Sequence, residues 1–417
     1  LKVLKQYYSA TGDKRVITFL TNYFHYQLRT LPYTPLGNWT FWAEYRACDN
    51  LQIVYWLYNI TGDSFLLDLG KLLHQQSYDY VDMFWNRDDL TRINTIHGVN
   101  LAQGIKEPII YYQQDPDSLY IHAVKKAFAD IRKYHGQPQG MYGADEALHG
   151  NKPTQGAELC SIVELMYSLE SMLEITGDIQ FADHLEKLAF NALPTQISDD
   201  FMTRQYFQQP NQVMLTRHIH NFDINHGETD IVFGLLTGYP CCTSNFHQGW
   251  PKFVQNLWYA TADNGAGALV YAPSEVILDV ANGIPVKIVE KTCYPMNHVV
   301  TFDIEFLDKM TESAFFPFHL RIPSWCRQAE IRINGTLYKK TSGNRTDIIK
   351  REWKNGDTVE LILPMHIQIS EWYENAVAIE RGPLVYALKI GEKWMKKTVK
   401  DDPIRYGKFY YEVLPTT

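Results

Sequence analysis

The sequence predicts an α+β multidomain protein, with a helical α/α toroid over residues 1–250 followed by an antiparallel β-sandwich over residues 251–417. Three observations predict it. A Thr-Gly-Asp turn recurs, as YYSATGD ending at Asp13, YWLYNITGD ending at Asp63 and SMLEITGD ending at Asp178. Each turn joins two amphipathic stretches, and long irregular insertions separate the pairs. After about Trp250 the hydrophobic period shortens to two and turn dipeptides appear.

Taken in order, the first elements are helical hairpins. Glycine in the turn suits a helix C-cap, and the aspartate after it suits the next N-cap. YYQQDPDS, Tyr111 to Ser118, occupies the same turn position with different residues. A unit repeated every roughly 50 to 60 residues builds either an open solenoid or a closed toroid. Insertions such as Gly136 to Gln155 favour the toroid, with functional loops gathered on one face. In the second half, Val300, Phe302, Ile304 and Phe306 alternate with Thr301, Asp303 and Glu305. Asn334-Gly335 and Asn355-Gly356 are hairpin signals, and AVAIERGPLVYAL reads as a further buried strand pair. Strands with tight turns and no intervening helices point to a sandwich.

Composition narrows the function classes. The 39 basic and 47 acidic side chains give a net charge of −8, which leaves no basic footprint for nucleic acid. No apolar run approaches the roughly 20 residues that span a bilayer. Aromatic residues reach 14% of the chain, which suits both a sugar-binding cleft and a tyrosine-rich core. The chain opens inside an amphipathic helix, LKVLKQYYSATGD, with no initiator Met or signal peptide, and is read as processed or partial at both ends. A periplasmic or secreted location is the expectation. Oligomeric state is not written in the sequence.

Six cysteines are too few for a disulfide scaffold in a chain of this length. Cys241 and Cys242 are adjacent, and a disulfide between neighbours closes a strained ring. With Glu158 and Cys160 they supply three sulfurs and a carboxylate, a complete tetrahedral set for zinc. The alternative is that they are buried cysteines acting as small hydrophobes. GMYGADEALHG places Asp145 and Glu146 in a glycine-rich stretch, where a carboxylic acid could be a general acid or an exposed loop charge. On pattern alone His97 is a cap or core residue, Glu186 a surface helix charge and Tyr206 a core aromatic. His218, His220, His226 and His247 crowd near the cysteine pair without metal-ligand spacing.

The run GADE, AELCS, EKLAFNALP, YPCCTSNFHQGWPKF and ERGPLVYAL resembles the bacterial β-L-arabinofuranosidase family of glycoside hydrolases. The resemblance covers most of the chain. It implies an (α/α)6 toroid with β-sandwich domains, a Zn2+ ion held by Glu158, Cys160, Cys241 and Cys242, and hydrolysis with retention. It also implies Cys241 as nucleophile, Glu146 as acid/base, and His97, Glu186 and Tyr206 as sugar-binding side chains. The implied substrate is a plant cell-wall oligosaccharide or glycan carrying L-arabinofuranose or a related sugar. An acid role for Glu146 calls for a pKa raised by burial or by the anionic thiolate cluster. Where arabinofuranosidases of the family carry sugar-contacting histidines, this chain opens a helix with Asp49 and Asn50. Fewer helices than twelve are counted before Trp250, so some N-terminal helices are expected to lie outside this chain. Two other functions compete: a toroid hydrolase or lyase with paired carboxylates and a structural zinc, and a non-catalytic glycan-binding protein.

Overall fold

A computed structural model describes residues 1–416. The three Thr-Gly-Asp turns share one local geometry. Gly12, Gly62 and Gly177 are left-handed, with φ of 66°, 74° and 64°. Each glycine N–H donates at 2.8 Å to the carbonyl four residues back. Each threonine Oγ1 accepts from the aspartate N–H two residues on, at 3.1–3.2 Å. A side chain at the glycine would be strained in this region of φ, and the short polar threonine closes the turn. The fourth turn uses Asp117 as N-cap, accepting from Leu119 N–H at 2.8 Å.

These turns join Lys2–Thr11 to Arg15–Thr30, Ala47–Thr61 to Phe65–Gln76, Glu107–Tyr112 to Ser118–Tyr134, and Leu159–Thr176 to Ile179–Lys187. The partners differ in burial. Every residue from Leu159 to Leu173 is buried, and so is all of Gly98–Gly104. Ser118–Tyr134 buries only Ala123, Val124, Ala127 and Ile131, and Phe65–Gln76 only Leu66, Leu69, Gly70 and Leu73. A helix hidden all round is an inner element, and one with a single apolar stripe is an outer one. This is the inner and outer ring of an α/α toroid. No helix among the described residues is long and apolar enough to cross a membrane.

The insertion Gly136 to Gln155 is not irregular throughout. Gly143–Asp145, Ala147–Gly150, Ala157–Glu158 and Phe207–Gln208 form a small four-stranded sheet at the mouth of the ring.

The sandwich packs a six-stranded sheet against a four-stranded one. Val300, Phe302, Ile304 and Phe306 face the core as the alternation requires. Asn334 and Gly335, both at positive φ, turn the hairpin between Ala329–Ile333 and Thr336–Thr341. Three expectations need correction. The four-stranded sheet is mixed, because Ser313–Ile322 runs parallel to Ala266–Ala268. Asn355-Gly356 closes no hairpin: Arg345–Lys354 lies in one sheet and Thr358–Ile362 in the other, so the turn carries the chain across the sandwich. Asn355 Oδ1 accepts from Phe306 N–H at 3.0 Å, which ties the crossing turn to the six-stranded sheet. Val377–Arg381 and Leu384–Tyr386 do pair, but Val377, Ile379 and Tyr386 are exposed.

Residues beyond about 366 also leave the two sandwich sheets. Phe409–Thr416 pairs with Gly391–Thr398 on one side and with Phe233–Gly234 of the helical half on the other. Val413 and Leu215 exchange backbone hydrogen bonds at 2.8 and 2.9 Å. The C-terminal hairpin therefore returns to the segment that leads into the cysteine pair, because that segment offers an unpaired strand edge.

Candidate active site

Three helices, two of them inner, point their N-termini at one place. His97 precedes Gly98–Gly104, Glu158 precedes Leu159–Thr176, and Cys241 is the first residue of Cys241–Gln255. The positive ends of three helix dipoles converge there, a setting that favours anions.

The donor atoms of Glu158, Cys160, Cys241 and Cys242 all lie within 4.8 Å of one another. Cys160 Sγ is 3.4 Å from Cys242 Sγ, and Glu158 Oε1 is 3.7 Å from both Cys241 and Cys242 Sγ. Asn245 Nδ2 donates to Cys160 Sγ at 3.0 Å. All six cysteines are free. Glu158 Oε2 is buried with no hydrogen-bond partner. A buried carboxylate oxygen facing thiols rather than N–H donors is costly unless a cation meets it. The residues present therefore fit a thiophilic metal ion and could hold one. Burial together with neighbouring acids pushes Glu158 well up, and burial does the same to Cys242. Cys241 goes the other way: hydrogen bonds from Cys160 and Cys242 pull it down to about 3, against burial and with help from the Arg204 charge. Cys160 and Cys242 are buried, while Cys241 is partly open to solvent.

Glu146 sits at the tip of the hairpin between Asp145 and Ala147, at φ 82°. A non-glycine residue in this region stores strain and persists only where its surroundings hold it. Three contacts hold this one. Its carbonyl accepts from Gly98 N–H at 2.7 Å. His97 Nε2 meets Oε2 at 2.9 Å, and Tyr206 OH donates to Oε1 at 2.5 Å. His97 Nδ1 accepts from Val99 N–H at 3.1 Å, so in the neutral ring Nε2 carries the proton and donates to Glu146. Gly98 allows the close approach, since a Cβ there would lie 2.8 Å from that of Ala144. His97, Glu146 and Glu158 also have donor atoms within 4.8 Å of one another, which joins the hairpin to the thiol cluster.

The expected rise in the Glu146 pKa is not found. Burial raises it, but hydrogen bonds from His97 and Tyr206 outweigh burial and leave the carboxyl below its ordinary value. Its neighbour Asp145, buried and bonded to His149 and to Gly156 N–H, is instead pushed up to about 6, mainly by burial.

The structure thus gathers Glu158, Cys160, Cys241, Cys242, Glu146, His97 and Tyr206. Glu186 is a correction. It lies wholly buried at the seam with the sandwich, ion-paired with Arg321 and accepting from Tyr271 N–H at 3.0 Å and Tyr294 OH at 2.5 Å. Three donors satisfy it and turn it away from any sugar. Asp49 and Asn50 are likewise engaged elsewhere: Asp49 pairs with Lys106 at 2.8 Å and Lys2 at 2.9 Å, and Asn50 donates to Gln27 at 3.0 Å.

Two side chains at the site went unassigned in the sequence. Arg204 hydrogen-bonds the carbonyls of Thr237, Leu235 and Tyr239 and the Thr243 hydroxyl, pinning the segment that delivers Cys241. His226, counted among the histidines without ligand spacing, bonds Asp230 at 2.6 Å and lies 3.4 Å from Glu146 Oε1. Neither carries a motif. Only a histidine and an aspartate four apart in a polar loop marked the second.

Residues 1–255 match the family described as "Beta-L-arabinofuranosidase, GH127 catalytic domain", and residues 268–365 match the GH127 middle domain. A non-reducing end beta-L-arabinofuranosidase of Bifidobacterium longum subsp. longum is 26% identical over 243 residues, which are 56% of this chain and 35% of that protein. The chain thus spans well under half the length of this curated relative. Among solved structures, a GH127 beta-L-arabinofuranosidase from Geobacillus stearothermophilus T6 superposes with a TM-score of 0.72 at 18% identity, over 98% of this chain and 75% of that one. A second, described as a GH127 beta-arabinofuranosidase, gives 0.69 at 19% identity, over 98% and 71%. These two share the fold, a helical toroid followed by a β-sandwich. With its catalytic-domain match running through the whole helical half, the chain belongs to the GH127 β-L-arabinofuranosidase family of glycoside hydrolases.

Proposed function

We propose that the protein is a retaining glycoside hydrolase that releases L-arabinofuranose, or a closely related five-membered sugar, from plant glycans in a periplasmic or extracellular setting. Cys241 is its nucleophile and Glu146 its acid/base. One observation carries the reading. Of the three clustered thiols, only the one on the first residue of a helix is open to solvent, and a helix N-terminus favours its thiolate.

In the first half-reaction Cys241 Sγ attacks the anomeric carbon, the bond to the leaving oxygen breaks, and Glu146 gives that oxygen a proton. In the second, Glu146 takes a proton from water, the water oxygen attacks the same carbon, and the carbon–sulfur bond breaks. Two displacements restore the starting configuration. Zinc bound by Glu158, Cys160, Cys241 and Cys242 would supply the positive charge that keeps these thiols deprotonated at neutral pH. Glu158, Cys160 and Cys242 fix the Cys241 sulfur in place. His97 and Tyr206 hold the two Glu146 oxygens apart and aimed.

The test combines a substitution with product analysis. Cys241→Ser is expected to abolish turnover of β-L-arabinofuranosides while the protein stays folded, and NMR of early product from the unsubstituted enzyme is expected to show the β anomer. Unimpaired turnover by the serine variant, or inverted product, overturns the mechanism. Activity confined to hexopyranosides would overturn the sugar and spare the chemistry.

A further inference from the structure

Two clefts meet where the insertion between residues 136 and 155 approaches the strands beyond residue 366, and Trp372 lines both. One, of about 690 Å³, is charged, with Arg132, Asp183, Lys187 and Glu380 in its walls. The other, of about 580 Å³, has no charged side chain among the described residues that line it, although 21% of the chain is charged. Its walls are amides, among them Gln139, Asn151, Gln209, Asn211 and Gln212, and the rings of Trp372, Tyr373 and Tyr386. Lys152, which stands 5.9 Å over the Tyr373 ring, lies outside the lining. Amides offer donors and acceptors without net charge, and the rings offer flat apolar faces. That is the chemistry of a neutral polyol, whose hydroxyls meet amides while its C–H face lies on a ring. A carboxylate or phosphate ligand would find no cation in these walls.

We propose that the neutral cleft binds a stretch of uncharged oligosaccharide, separately from the catalytic centre. The proposal goes beyond the reaction and uses no property of Cys241 or Glu146. Its platform is fixed in advance. Trp372 Nε1 donates to Ser370 Oγ at 2.8 Å, and the Arg132 guanidinium lies 5.0 Å from the ring centroid. Arg132 lines the charged cleft and not the neutral one, so it covers the far face of the ring and leaves the near face for a sugar. Asn191 clamps Leu384–Tyr386 to the helical half: its Oδ1 accepts from Val385 N–H at 2.7 Å, and its Nδ2 donates to the Pro383 carbonyl at 2.9 Å. Rigid walls lower the ordering cost of binding. The bond to Val385 also closes that strand edge to an added peptide strand. Gln139, buried in the lining, donates to Gln137 Oε1 at 2.9 Å and leaves its own Oε1 without a partner, a spare acceptor for a sugar hydroxyl.

Isothermal titration calorimetry on the full chain tests this. The probes are xylohexaose and α-linked L-arabinohexaose, neither of which carries a β-L-arabinofuranosyl end, with hexagalacturonate as the anionic counterpart and hexaproline as a neutral peptide. At least one neutral hexasaccharide should bind, at least about tenfold more tightly than hexagalacturonate or hexaproline. Trp372→Ala should weaken that binding about tenfold, the scale of one aromatic contact. Tyr386→Ala, which removes a half-exposed ring, should weaken it about threefold and decides the matter if Trp372→Ala lowers the melting temperature. Binding of neither neutral hexasaccharide, equal or tighter binding of hexagalacturonate or hexaproline, or an affinity that survives both substitutions would overturn the proposal. The titration reads no turnover, so its failure leaves the proposed reaction standing, and failure of that reaction leaves the cleft standing.

Discussion

Glu158 and Glu186 are both fully hidden carboxylates of the helical half, and the sequence reading gave both a place at the site. Their surroundings separate them. At the seam with the sandwich, Glu186 meets a guanidinium, a phenol and a backbone N–H. At the mouth, Glu158 has thiols on one oxygen and nothing on the other. A carboxylate whose lone pairs are all taken by protein donors holds the fold together. One buried against soft ligands with an oxygen to spare is built for something that is not protein. Glu170 is a third case. It is buried, its Oε1 lacks a partner, and no thiol is near; burial pushes its pKa up to about 8, against the pull of Lys252 and Lys106. With neither cation contact nor full pairing, protonation resolves the cost.

The contrast can be broken at each of the three sites. The largest effect is expected at the mouth. Cys160→Ser, read as metal per chain and as kcat/KM, should lose the bound metal and at least about 100-fold in rate, since even outer-sphere changes at metal sites cost 10–100-fold. A variant that keeps full activity without metal would remove the distinction between Glu158 and Glu186.

At the seam the loss should appear in stability. Arg321→Met leaves Glu186 and Asp183 without their buried cation. This should cost about 3–5 kcal/mol in urea unfolding, with KM unchanged in the folded fraction. A raised KM at intact stability would return Glu186 to the sugar site.

The smallest effect belongs to Glu170→Gln. The folded-state pKa lies above that of the unfolded chain, so the folded protein holds the extra proton and loses stability as pH rises from about 4.5 to 8. The glutamine variant avoids this loss. Its advantage should be absent near pH 4 and reach on the order of 2 kcal/mol by pH 6. A pH-independent difference would mean that Glu170 is charged in the fold.

How much of this was legible in the sequence follows from the range of each interaction. The three Thr-Gly-Asp turns are local, since Thr11, Gly12 and Asp13 bond within a few residues of themselves, so the hairpins were readable. The thiol cluster was readable because a vicinal cysteine pair has few other uses. Glu186 was not: it lies on an amphipathic helix like any surface charge, and its partner Arg321 comes from a strand of the other domain. Asn355-Gly356 announced a turn correctly, but turn chemistry does not say which sheet receives the next strand. Glu146 lies beside the thiol cluster, but the donors His97 and Tyr206 that lower its pKa arrive from distant segments, which no local pattern shows. His226 and Asp230 had the spacing of a helical pair and sit in a loop, where spacing carries no signal.

The central claim is that a cysteine, and no carboxylate, bonds to the sugar. A slow substrate such as a 2-fluoro-substituted β-L-arabinofuranoside, applied to metal-replete enzyme and followed by acid quenching, proteolysis and mass spectrometry, tests it directly. The sugar mass is expected on the peptide carrying Cys241, at Cys241 itself and absent from Cys242. A pentosyl adduct on Glu146, Glu158 or any other carboxylate would contradict the account, and so would turnover of that substrate with no adduct and inverted product.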